Sequence, residues 1–251
     1  MSQDDQKLTV AREAAGLILN DMVVGLGSGT TAEIVVRLLG DLRGSGLRFR
    51  GVPTSGQTAD LALSVGIPLV NLDECGPLDI AIDGADEVDP DLNCIKGHGG
   101  QLLREKIVAT AAKRFVVIVD STKRVARLGE RAPIPVEVIP FGWTTTRQRL
   151  ERLGLRCELR GAGSPFVTAG GNYILDCRLP AAMDLANSAL AQSIKSQVGV
   201  VEHGLFLEWP SARTVVVARP EGGVDVLERP VGQAPSSRSL SPGTGQSTPA
   251  S

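Results

Sequence analysis

Between Asp83 and Ala109 the chain reads DGADEVDPDLNCIKGHGGQLLREKIVA. The segment brings two aspartates, a lysine, a glycine-rich turn and a glutamate into a short stretch of backbone. Acid groups, an ammonium and open amides together suit proton transfer on a polar substrate, with stabilisation of a negative oxygen. Gly84 and Ala85 are small enough to let a tight turn aim the carboxylates of Asp83 and Asp86 at one spot. Carboxylates there accept hydrogen bonds from sugar hydroxyls and can shuttle their protons. Lys96 stands at the mouth of the turn Lys96-Gly97-His98-Gly99-Gly100, where an ammonium can neutralise an enediolate or hold a phosphate. Glu105 shares its helix face with Gln101, Leu102, Val108, Ala109 and Ala112. Burial among such side chains raises a carboxyl pKa from about 4.3 towards neutrality and makes the group a better base. The competing reading of Glu105 is an ion pair with Lys106 or a neighbouring chain.

Local elements must hold these groups in place. LDIAI (Leu78 to Ile82) reads as a short buried strand. Asp83 therefore falls at a strand end, the edge of an open α/β sheet where ligands bind. QLLREKIVATAAK (Gln101 to Lys113) lacks internal Gly and Pro and is a strong helix former. The turn feeds that helix, so its amides from residue 97 to 100 can face an anion.

A second loop, GLGSGTT (Gly25 to Thr31), joins a strand to a helix. Ser28, Gly29, Thr30 and Thr31 place hydroxyls and free helix-start amides where a phosphate fits. It is not a Walker loop, because the lysine is missing, and Thr30 replaces the third glycine of the dinucleotide fingerprint. The competing reading is a tight turn that binds nothing. Lys123, in STKRV after the strand FVVIV (Phe115 to Val119), is another cation at a strand end. Glu87, Asp89 and Asp91 lack calcium-loop spacing and read as a solvated acidic turn, so no metal site is expected. His98 sits inside the glycine turn, and His203 reads as structural.

The first half alternates strands and helices. A helix capped by Asp4 or Asp5 runs to about Leu19, and the strand Met22 to Leu26 follows. Next come a helix from Thr31 to Leu39 stopped by Gly40, the strand Leu47 to Val52, a helix from Thr58 to Val65 and the strand IPLV. This order implies an α/β fold, a Rossmann-like parallel sheet with helices on both faces. After Pro133 the order becomes β-α-β-β-α-β. PVEVIP, RCELRG, GNYILDCRL and GVVEHGLF supply the strands, with helices at Thr144 to Leu153 and Ala181 to Lys195. That is a smaller α+β unit of ferredoxin-like type inserted into the first. The expected organisation is a catalytic domain of residues 1–131 plus 204–231 and an inserted domain of 132–203. TVVVARPEGGVDVLER reads as a hairpin, with Glu221-Gly222-Gly223 at its tip, returning to the first sheet. The Ser/Pro/Gly-rich tail 232–251 is expected to be disordered and dispensable.

Composition narrows the function class. The chain has 251 residues, 42% of them hydrophobic, enough for a packed core. A net charge of -2 and only 3% aromatics argue against nucleic acid or an anionic membrane as partner. Cys75, Cys94, Cys157 and Cys177 form no CxxC pair and read as reduced, buried thiols. The acidic, polar start is no secretory signal, which points to a cytoplasmic protein.

At GLGSGTT, DGADEVD, IKGHGG followed by LLREKI, VDSTKRV, PIPVEVIP, GNYILD and VVEHGLF, in that order, the chain resembles the type A ribose-5-phosphate isomerase family over roughly residues 5 to 231. The resemblance implies interconversion of ribose 5-phosphate and ribulose 5-phosphate without a metal or organic cofactor. It also implies a Rossmann-like domain carrying a smaller α+β domain, and assembly as a homodimer or homotetramer. It assigns Glu105 as the base, with Asp83, Asp86 and Lys96 holding the substrate and assisting ring opening or charge stabilisation. The substrate contacts it implies are Ser28, Gly29, Thr30, Thr31, Gly84, Ala85, Gly97, His98, Gly99 and Lys123. His98 departs from the family pattern, because many relatives have glycine there; a positive φ at that position would strain it. Three rivals remain open: a sugar-phosphate sensor that does no chemistry, a nicotinamide-dependent dehydrogenase, and a coenzyme A transferase using Glu105 as nucleophile.

Overall fold

A computed structural model of the chain describes residues 1–161, 163–180, 188–207 and 212–229. The first part contains α1 (Gln3–Ala15), β1 (Met22–Leu26), α2 (Thr30–Gly44), β2 (Phe49–Pro53), α3 (Gly56–Ser64), α4 (Leu72–Cys75) and β3 (Ile80–Gly84). There follow β4 (Glu87–Val88), β5 (Cys94–Ile95), α5 (Leu102–Thr110), β6 (Arg114–Val119), and a 3-10 turn at Ser121–Lys123. The smaller unit contains β7 (Ile134–Val138), α6 (Trp143–Arg152), β8 (Arg156–Leu159), β9 (Tyr173–Arg178), α7 (Ser188–Lys195) and β10 (Val200–His203). The chain returns through β11 (Leu205–Phe206) to the hairpin β12 (Ala212–Ala218) and β13 (Val224–Arg229).

The main sheet has the order β13-β12-β6-β3-β1-β2 and is parallel except at β13. Its central strands are largely apolar on both faces, as a sheet covered on both sides requires. Ile80, Ile82, Val116 and Ile118 pack with Val10, Ala14 and Leu39 of α1 and α2 on one side. Ala81, Phe115 and Val117 pack with Val108 and Ala109 of α5 on the other. The period-two alternation of a strand thus sets both layers. A second, antiparallel sheet, β10-β7-β9-β8, packs against α6 and α7 around Ile134, Val136, Leu150, Leu175 and Ile194. A small ladder, β11-β5-β4, joins the two.

Several local expectations are corrected. α1 is capped by Ser2 rather than Asp4 or Asp5: the Ser2 hydroxyl accepts from the Asp5 amide, and the Asp5 carboxylate accepts from Ser2 in return. α2 passes through Gly40 to Gly44, because Gly40 serves close packing, and a side chain there would strike Val65. IPLV forms one bridge, Gly51 to Leu69, and not a strand, since Pro68 has no amide for a ladder. GVVEHGLF divides at Gly204 into β10 and β11, which serve different sheets. Cys157 and Cys177 are not free thiols. The β8–β9 register sets them directly opposite, with Cα atoms 4.1 Å apart, and they form a disulfide; Cys75 and Cys94 are free. Glu87 is no solvated turn residue. It is buried and accepts the amides of Gly129, Arg131 and Ala132 at 2.6, 2.7 and 2.6 Å. The tail 232–251 and the start of the expected Ala181 to Lys195 helix lie outside the described residues.

Candidate active site

The C-terminal ends of the parallel strands β1, β3 and β6 lie on one edge of the sheet, and the loops that leave them enclose a cavity of about 320 Å³. Each candidate residue lines it except Asp83, which is buried and only 2% exposed.

Asp83 is the last residue but one of β3, one strand over from the loop after β1. Its Oδ1 accepts the amides of Ser28 at 3.0 Å and Gly84 at 2.8 Å. Gly27 makes this approach possible, because a side chain there would occupy the space of the Asp83 carboxylate. Asp83 Oδ2 lies 3.0 Å from Lys96 Nζ, and Glu105 Oε2 lies 3.3 Å from the same nitrogen. The Lys96 ammonium also donates to the Gly84 carbonyl at 2.5 Å. All three charged side chains are buried. Burial works against the Lys96 ammonium, but Asp83 and Glu105 outweigh it and hold its pKa above the ordinary value. Burial also pushes the Asp83 carboxyl up, with Lys96 opposing. Glu105 is raised from 4.5 to about 8, first by burial and then by the nearby Asp83 and Asp86, against the pull of Lys96. A carboxyl poised near neutrality can accept a proton and return it.

The glycine turn wraps over this triad. Gly97 and Gly100 carry the left-handed backbone, at φ 107° and 79°. His98 does not, so a side chain at 98 meets no backbone penalty. The four amides expected to face an anion divide in two. The His98 amide donates to Asp86 Oδ2 at 3.0 Å and the Gly100 amide to the Gly97 carbonyl at 3.0 Å. Those of Gly97 and Gly99 have no hydrogen-bond partner among the described residues, and both residues line the cavity.

Across the cavity, Gly29 is the N-cap of α2 with φ 90°, and no side chain caps that helix. The first-turn amides at Thr30 and Thr31 are thus open to an anion. The Ser28 hydroxyl is engaged with Thr54 at 2.6 Å and Thr58 at 3.3 Å, so its backbone does more here than its side chain. Lys123 follows β6 and lines the wall.

Some lining residues carry no signal in spacing. Lys7 and Gln3 reach the cavity from α1, and Ala169 reaches it from the smaller unit. Asp120 does carry a signal, since it follows β6 much as Asp83 stands near the end of β3. It caps the 3-10 turn and accepts from Gln3 at 3.2 Å. Burial raises its pKa, but hydrogen bonds from Thr122 and Gln3 prevail and hold it below the ordinary value. His203, off the cavity, is buried and accepts the Leu205 amide, a structural role.

A sequence model of the family described as ribose 5-phosphate isomerase A (phosphoriboisomerase A) matches residues 50–222, more than half of the chain. The chain belongs to that family. Ribose-5-phosphate isomerase A of Gluconobacter oxydans is 54% identical over 220 residues, 86% of this chain and 94% of that protein. That of a Synechococcus strain is 49% identical over 226 residues, 88% of this chain and 96% of its own length. Among solved structures, ribose 5-phosphate isomerase A from Methanocaldococcus jannaschii matches with a TM-score of 0.83 at 41% identity, covering 91% of this chain and all of that one. A D-ribose-5-phosphate isomerase in complex with phospho-erythronic acid matches at 0.84 and 39%, with the same coverage. The family's α/β fold is the one described above.

Proposed function

We propose that the chain interconverts D-ribose 5-phosphate and D-ribulose 5-phosphate, the conversion of the pentose phosphate pathway, with Glu105 as the base. The observation that carries this reading is the buried triad in which Glu105, raised to about 8, shares Lys96 with Asp83 beneath the glycine turn. The α2 start at Gly29 to Thr31, with Lys7 and Lys123, receives the phosphate. Asp86 holds a sugar hydroxyl and assists ring opening, Asp83 supports it from behind the lining by holding Lys96, and Gly84, Ala85 and His98 shape the floor around them. Glu105 takes the proton from C2 of the open aldose. The electron pair moves into a C1–C2 double bond, and negative charge gathers on the carbonyl oxygen. Lys96 and the Gly97 and Gly99 amides meet that charge, each well-placed donor contributing about 3 to 4 kcal/mol. The proton of the C2 hydroxyl passes to the C1 oxygen, the C2–O bond becomes the new carbonyl, and Glu105 returns its proton to C1, so substrate and product are isomers and no electron acceptor is needed. The reading calls for no metal and no organic cofactor. Phospho-erythronic acid, bound by a relative, pairs a phosphate with a carboxylate, which places negative oxygens at both ends of a short sugar chain.

The same reading places catalysis in residues 1–131 and 204–231, with 132–203 as a supporting insert, in a cytoplasmic homodimer or homotetramer. Among the described residues no helix is long and apolar enough to cross a membrane. Sedimentation of the purified protein gives the assembly state. The function is tested by a coupled assay for ribulose 5-phosphate with EDTA present. Sustained turnover is the expected result. Binding of ribose 5-phosphate without conversion would replace this reading with that of a sensor.

A further inference from the structure

Resting on that reading of the site, we infer that Arg160 of the smaller unit is a positioning residue that sets the glycine turn for catalysis. Arg160 follows β8 and is largely buried. Its Nε and Nη2 donate to the two carboxylate oxygens of Asp176 at 2.9 and 2.5 Å, a two-point fork that fixes the guanidinium plane. The remaining nitrogen, Nη1, donates to the carbonyls of Gly97 and His98, both at 2.9 Å.

Gathering two successive carbonyls on one nitrogen has a geometric consequence. In a trans peptide the C=O and the next N–H point in opposite directions within one plane. The amides belonging to those two planes are those of His98 and Gly99. The His98 amide holds Asp86 at 3.0 Å, and that of Gly99, a residue lining the cavity, has no partner among the described residues. Arg160 therefore orients both an aspartate and an open donor while standing behind the turn. Its backbone carbonyl also accepts the Phe166 amide at 2.8 Å, and the Phe166 ring packs so closely on Gly100 that a side chain at 100 would strike it. Glycine at 97 and 100 gives the turn its shape but leaves it loose, since glycine has the widest backbone freedom. Arg160 with Asp176 removes that freedom from the side opposite the substrate.

The test is Arg160→Met, with kcat and KM for ribose 5-phosphate measured beside amide hydrogen exchange at residues 97–100. The expected result is a kcat lower by about a hundredfold, as for other misplaced catalytic groups, with KM within about threefold of the parent. Exchange at 97–100 should quicken, and guanidinium salt added to Arg160→Ala should recover about tenfold of the lost kcat. Unchanged kcat and exchange, or a rise in KM alone, would overturn the inference. If Arg160→Met does not fold, Asp176→Asn decides by the same measurements. If the parent protein fails to convert ribose 5-phosphate, the functional reading falls, and the exchange result alone judges the clamp.

Discussion

Glu105→Gln should make the folded protein more stable in alkali, although it removes the proposed base. The side chain is 5% exposed, and its pKa rises from 4.5 to about 8 on folding. Below the lower value both folded and unfolded chains hold the proton, and the carboxyl contributes its full share of stability. Between the two values the folded chain holds one proton that the unfolded chain has lost. Stability then falls by about 1.4 kcal/mol for each pH unit. Above about 8 the loss levels off near 5 kcal/mol, an order-of-magnitude figure that already includes the attraction of Lys96. Glutamine keeps the shape of the protonated acid and does not ionise, so the variant escapes this penalty. For a chain of this length that difference corresponds to a Tm gain of roughly 10 to 20 °C. Scanning calorimetry of both proteins at about pH 5 and pH 9 reads it, with near-equal stability at the lower pH and a clear gap at the higher. A gap independent of pH, or a variant less stable than the parent in alkali, would refute the reasoning.

Because a base works only when ionised, kcat/KM should rise with pH and level off above about 8; a profile flat between about pH 6 and pH 9 would remove Glu105 from that role. Lys7→Ala and Lys123→Ala should each raise KM roughly tenfold to a hundredfold with little effect on kcat, as expected for a lost charged contact to phosphate. Initial rates over a range of ribose 5-phosphate concentrations check this, and an unchanged KM in both would move the phosphate elsewhere. Glu87→Ala leaves three backbone amides without their buried acceptor and should destabilise the fold by about 3 kcal/mol or more, read by urea denaturation.

The architecture was legible where the sequence carried a period. Ile80 to Ile82 and FVVIV are apolar without interruption, which only a strand covered on both faces requires, and they form the cores of adjacent parallel β3 and β6. The apolar face around Glu105 was equally readable, and burial follows directly from it. What helical or strand spacing cannot carry is contact between distant segments. Lys96 meets Asp83 and Glu105 together only because β5 and α5 fold back over the end of β3. Glu87 looked like one of several turn acids until the 129–132 segment supplied three amides for it. Cys157 and Cys177 became partners through strand register, and Gly40 became a packing residue through the approach of Val65. Lys7 and Arg160 reach the site from α1 and from the smaller unit, and nothing in their own neighbourhoods marks them.

The most direct test of the central claim is turnover of ribose 5-phosphate by Glu105→Gln at about pH 8, where the parent carboxyl is substantially ionised. The account predicts a kcat lower by at least about a hundredfold, with KM little changed, because shape and binding persist while the proton acceptor is gone. A kcat close to that of the parent, in a variant shown to be folded, would contradict it.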